Sequence, residues 1–249
     1  VNPHTPEDAP EELWGWRYAS RAELEAMQAS GEIDDLTYKT LIEEVDISVT
    51  GWVIMALKSA QISGLKVPRD TMEGGLRYAK YVSKDDGLAG YLSPYGAGQV
   101  VGGPGDQYTY HVGTMSALSM LVRSFVAHDL EDSFLEAGAK QIVKDQPTIS
   151  KDKLSIDYYY WYYATLALNQ FDGPDSPRKS GEYWNKWNDS MQEVLIELQD
   201  TNNDRNVCSR GGWLVPDRWS LNHGYAIYNT AINTLTLEVY YRYENAFGA

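Results

Sequence analysis

Four stretches of the chain are apolar or aromatic nearly all round, and they share one internal register. They are residues 46–57, 110–121, 157–168 and 224–237, and aligning Leu57, Leu121, Leu168 and Leu237 places Thr50, Thr114, Trp161 and Thr230 at one position. A helix hydrophobic on every side is a helix surrounded by protein. Between these stretches the pattern becomes one-sided. Residues 68–84 carry Met72, Leu76, Ala79 and Val82 on one face, with Arg69, Glu73, Arg77 and Lys80 elsewhere and Pro68 in the first turn. Residues 131–145 use Leu135, Ala139 and Ile142, and residues 182–199 use Trp184, Trp187, Met191, Val194 and Leu198. Alternation of buried and amphipathic helices predicts hairpins packed side by side, buried members inside and amphipathic members outside. The expected fold is therefore all-α, an α/α toroid or an arc of one.

Three full hairpins and a last inner helix fall short of a closed ring, so the expected domain, 1–249, is a single toroid domain or the C-terminal part of one. Preceding amino-terminal hairpins, a protein partner or self-association would complete its core. Glycine and aromatic residues combine in loops before three of the inner helices, at Trp14-Gly15-Trp16-Arg17-Tyr18, at residues 86–91 and at Gly211-Gly212-Trp213. Glycine permits the tight turn and the ring buries a large area between hairpins. Residues 20–44 interrupt the first repeat as a polar, acidic helical insertion, with Ser20 as its cap and Ser30-Gly31 as its turn. The glycine-rich run 96–105 is expected to be a flexible loop.

Composition narrows the functional classes. A formal charge of −14 over 249 residues repels phosphate backbones, so no nucleic-acid partner is expected. The apolar stretch at residues 53–57 is far shorter than the roughly 20 residues of a membrane span, so no such span is expected either. Acidic composition and a first residue other than Met lean toward an exported protein. The single cysteine, Cys208, forms no internal disulfide. Aromatic residues are abundant, with 8 Trp, 19 Tyr and 4 Phe.

Several strings carry a resemblance. Asp46-Ile-Ser-Val-Thr-Gly-Trp52 with Met55-Ala-Leu-Lys-Ser-Ala60, Tyr160-Trp-Tyr-Tyr163 with Trp184-Asn-Lys-Trp-Asn188, and Tyr228-Asn-Thr-Ala231 with Leu237-Glu-Val-Tyr-Tyr-Arg-Tyr243 resemble the prenyltransferase and squalene-oxidase repeat family. The likeness is greatest to squalene-cyclase-like bacterial members of the planctomycete type, and it covers residues 14–18 and 46–247. It implies a terpenoid-cyclase-like α/α toroid and no particular reaction.

The acidic Asp-x-Asp-Asp motif with which such cyclases protonate an alkene is missing. Asp34-Asp35 falls in the insertion and Asp85-Asp86 at a helix end. The resemblance to protein prenyltransferases would require zinc on Asp, Cys and His, but Cys208 with Asp204 and His223 has the wrong spacing. Parallel inner helices would bring Asp46, His111, Asp157 and His223 to one rim, where carboxylates and imidazoles suit a metal or acid–base work. The competing reading makes Asp46 and Asp157 amino-terminal helix caps. The aromatic run containing Tyr159, Trp161 and Tyr163 could line a cavity for an apolar or sugar ligand, or could be core.

Asp200, Asn202, Asp204 and Asn206 space oxygen ligands two apart, as calcium loops do. However, Arg205 stands where an EF-hand needs glycine and Gly211 where it needs a bidentate Glu, so a polar turn competes with the ion. The polar turn is the favoured reading, so no cofactor is expected, calcium being the one these residues could hold. The leading expectation is a catalytically unassigned toroid module for binding or assembly. An enzyme acting on an isoprenoid or polysaccharide is the alternative, and a calcium-stabilised extracellular domain the third.

Overall fold

The computed structural model describes residues 2–4, 13–94, 112–150, 155–202, 208–217, 219–220 and 225–241. Among them the chain is mostly helical with almost no strand, so the all-α class holds. Two short strands, β1 (Asn2–His4) and β2 (Leu13–Gly15), pair antiparallel at the start. The helices are α1 (Arg21–Ser30), α2 (Asp35–Glu43), α3 (Ile47–Ile62), α4 (Arg69–Tyr81), α5 (Val112–Ala127), α6 (Ser133–Ile142), α7 (Tyr158–Asp172), α8 (Trp184–Leu198) and α9 (Tyr225–Leu237).

The hydrophobic pattern sorts these helices as expected. The four all-round stretches become α3, α5, α7 and α9, which pack on one another in that order. The one-sided stretches become α4, α6 and α8, each laid against the inner helix before it. In α7 every residue except Tyr159 and Asn169 is buried, because protein surrounds it on all sides. The amphipathic α8 buries only Trp184, Trp187, Met191, Val194, Leu195 and Leu198. The inner helices α3 and α5 run on to Ile62 and Ala127, past the expected ends at 57 and 121. In α3 the added turn is polar, and the Ser59 and Ser63 hydroxyls donate to the carbonyls of Met55 and Ser59, so it carries no apolar period to read.

Within the 20–44 segment lie the two helices α1 and α2. Ser20 and Glu23 exchange hydrogen bonds in a capping box, and Gly31 closes α1 at a φ of 77°. Of these two helices only Leu24 is buried, which leaves the pair lightly anchored.

The glycine loops grip the inner helices by a shared device. The Trp16 amide donates to the Thr50 hydroxyl at 3.0 Å, and the Trp213 amide donates to the Thr230 hydroxyl at 3.2 Å. A Cβ on Gly15 would stand 3.1 Å from the Thr50 hydroxyl oxygen, and one on Gly212 2.9 Å from that of Thr230. Glycine thus lets the loop come close enough for the bond, and the equivalence of Thr50 with Thr230 is structural. Thr114 is buried without a hydrogen-bond partner among the described residues, so the device is not repeated there. The fourth position of the register holds Trp161, 2% exposed, in the one inner helix that no such loop precedes.

Outer helices cover these loops. Gly74 of α4 lies under Trp14, whose Cγ would be 2.5 Å from a Cβ added there. Gly87, at a φ of 86°, lies against the Ala137–Gly138 backbone of α6, which a Cβ would meet at 2.3 Å. The last turn of α7 is tied to α8 by buried Asp172, which accepts from the Ser180 hydroxyl and from the amides of Gly181 and Tyr183 at 2.8 and 2.7 Å. No helix among the described residues is long and apolar enough to cross a membrane.

Candidate functional site

The amino ends of α3 and α7 lie together, since the Ser48 hydroxyl and the Tyr159 hydroxyl are 2.5 Å apart. Asp46 and Asp157 both stand at helix starts and both cap. The Val49 amide donates to Asp46 at 2.7 Å, and the Tyr160 amide donates to Asp157 at 2.9 Å. A carboxylate at this position satisfies an orphan amide and favours the helix dipole. Beyond the cap the two sites differ.

Asp46 has a cationic partner. Arg17, delivered by the first glycine loop, reaches it at 2.9 Å and Glu44 at 3.3 Å, and its guanidinium lies over the rings of Tyr18 and Tyr91. Burial lifts the Asp46 carboxyl above its ordinary value, against the Val49 amide and the Arg17 charge. The Asp157 Oδ1 also accepts from the indole of Trp219 at 2.8 Å, and a second carboxylate, Asp217, shares the same helix end by accepting from the Tyr158 amide at 3.0 Å. Trp219 joins the two, because its own amide donates to Asp217 at 3.1 Å. Ser220 completes the turn by donating its amide to Asp217 at 3.0 Å.

Burial first, and the neighbouring Asp157 charge second, push Asp217 up to about 6. The same two carboxylates, after burial, raise the Tyr228 hydroxyl, which has no hydrogen-bond partner among the described residues. The chemistry available at this end is thus that of one buried carboxyl, Asp217, raised toward neutrality, with the Tyr228 phenol within reach of its field. Asp217 and Trp219 were not singled out from sequence. The clue lay in Asp217-x-Trp219, which follows the third glycine loop and has no helical period of its own.

The aromatic run is divided. Trp161 and Tyr163 are core residues at 2% and 0% exposure, whereas Tyr159 is half-buried and packs against Trp219 at 5.2 Å between ring centroids. Trp52 of α3 stacks on Tyr162 at 5.7 Å and meets Tyr163 edge-on at 5.5 Å, so aromatic side chains join α3 to α7 past the intervening α5.

His111 and His223 lie outside the described residues, as do Asp204 and Asn206 of the calcium pattern. Asp200 accepts from the Ser209 hydroxyl at 2.6 Å and from the Asn202 amide at 2.9 Å, bonds internal to a polar turn. Among the described residues no three His, Cys, Asp or Glu side chains cluster in a way that could hold a metal. Set against family models, curated proteins and solved structures, the chain matches none.

Proposed function

We propose that this chain is a section of an α/α toroid that serves as a binding or assembly module, as its likeness to the prenyltransferase and squalene-oxidase repeats implies. One observation carries the reading. The last inner helix exposes the face that its predecessors bury. In the shared register Ile227 stands where α3 has Ile47 and α7 has Tyr158; those two are fully buried, while Ile227 is 81% exposed. Ala231 and Thr234 are also exposed, although their counterparts Gly51, Tyr162, Ile54 and Thr165 are all buried. Repeats of this kind pack on their neighbours, so an open face that the other inner helices bury suits a further packing partner. The aromatic contact of Trp52 with Tyr162 across α5 supports an inner layer that curves. The capping roles of Asp46 and Asp157 give the rim carboxylates a structural purpose without chemistry.

Native mass spectrometry of the protein as isolated tests the reading. An assembly larger than one chain, dissociated by Ile227→Asp, is the expected result. A bare single chain whose mass and hydrodynamic size ignore that substitution would remove the reading.

The enzyme reading, on an isoprenoid or polysaccharide, draws support from one place, the Asp157 and Asp217 pair with a carboxyl that titrates at about 6. The same spectra serve it. A retained isoprenoid or saccharide mass that disappears in Asp217→Asn, with the fold intact by circular dichroism, would bring it forward.

A further inference from the structure

Lys58 of α3 and His128, which follows α5, meet side chain to side chain. The Lys58 Nζ stands 3.2 Å from the His128 Nε2, hydrogen-bond distance for an ammonium donating to a neutral imidazole. None of the ion pairs among the described residues includes Lys58, whereas Lys140 is paired with Glu136 at 3.1 Å. Lys58 is half-buried, one turn beyond the buried Ile54 and Met55. Burial lowers its ammonium from the ordinary value, because the charged form loses water there.

The backbone puts the imidazole in place. His128 comes directly after Ala127, the last residue of α5, at a φ of 54°, and among the described residues only Lys179 is another non-glycine residue with a positive φ. A left-handed residue ending a helix is ordinarily glycine or asparagine, so the histidine is an unusual choice at this stop. His128 is exposed, which leaves the pair open to small molecules from water. Lys58 lies about 18 Å along α3 from Asp46 at 1.5 Å per residue, so the pair is separate from the rim carboxylates.

We propose that Lys58 is a nucleophilic amine that condenses with small aldehydes, His128 carrying the proton. The Lys58 ammonium passes a proton to His128 Nε2, and the freed lone pair forms a bond from nitrogen to the aldehyde carbon. The carbonyl oxygen takes a proton from that nitrogen to give the carbinolamine. The imidazolium then returns its proton to the departing hydroxyl, the C–O bond breaks, and water leaves. A protonated imine remains on Lys58 and His128 is neutral again, with nothing oxidised or reduced. An aldehyde is the electrophile that uses both halves of the pair, since its addition needs a base and its dehydration an acid, and one imidazole beside the amine supplies each in turn.

The probe is glycolaldehyde, added to the full chain with sodium cyanoborohydride, which fixes each imine as a stable secondary amine. Peptide mass spectrometry at low conversion then gives the initial rate at every lysine. Lys58 should react about tenfold faster than the exposed Lys39 and Lys186. His128→Asn keeps a residue that accepts the left-handed turn and removes the proton carrier, and His128→Gly removes both the side chain and its backbone constraint. In each variant the Lys58 rate should fall to that of Lys39, with the circular dichroism spectrum unchanged. A Lys58 no faster than Lys39 and Lys186 in the unsubstituted chain would overturn the proposal without recourse to any variant. So would an excess rate at Lys58 that survives the loss of the imidazole.

Discussion

Asp217 accepts three backbone amides and still holds its proton to about pH 6, because burial and the Asp157 charge outweigh those bonds. A carboxyl whose folded pKa lies above its ordinary 3.8 stabilises the fold fully below that value, and the contribution is lost as pH rises through about 6. At 1.36 kcal/mol per pH unit the loss is on the order of 3 kcal/mol. Burial raises Asp46 in the same direction. Urea unfolding at pH 5 and pH 7.5 should therefore find the protein more stable in mild acid, with the difference reduced in Asp217→Asn. A flat profile in the unsubstituted chain would contradict the burial argument. The threonine clasps offer a second check at this scale. Thr230→Val removes the acceptor of the Trp213 amide and should cost about 1–2 kcal/mol in denaturant melts, with Thr50→Val costing about the same through Trp16.

Between elements the decisive contacts are backbone on backbone. Alanine at either Gly87 or Gly211 should incur about 1–2 kcal/mol for a left-handed residue with a Cβ. At Gly87 the Cβ also meets the α6 backbone at 2.3 Å, so Gly87→Ala should cost about 1–3 kcal/mol more than Gly211→Ala. Equal costs, measured by thermal unfolding, would mean that α6 does not press on the loop. These same elements mark how far the sequence alone could be read. The alternation of α3 to α9 was legible because an all-round apolar helix and a one-sided helix differ along their whole length. The caps at Asp46 and Asp157 were legible because a short polar side chain directly precedes an apolar run, and that at Ser20 because it opens a polar helical segment. Arg17, Asp172, Asp217 and Trp219 were not, since each comes from a loop or helix end and finds its partners only once the chain between them has folded. The covered glycines were invisible for the same reason. Nothing local distinguishes Gly74 or Gly138 from any other helical glycine until Trp14 or the 86–91 loop arrives.

Over the whole molecule, order in sequence is order in space: α3, α5, α7 and α9 follow one another and each outer helix leans on its own predecessor. A formal charge of −14 opposes association of like copies, so any self-assembly through the α9 face should strengthen with added salt and fade in Ile227→Asp. Sedimentation at low and high ionic strength measures both effects. Burial also varies along the array, from α7, enclosed on nearly all of its surface, to α9, open along Ile227, Ala231 and Thr234. A helix with less of its surface covered opens locally at lower free energy, and amide hydrogens report the difference. Amides of α9 should exchange with solvent deuterium well before those of α7, and equal rates would mean that enclosure does not set the order. How much of each inner helix faces water thereby becomes a timetable for the row, written in the rates at which its amides trade hydrogen for deuterium.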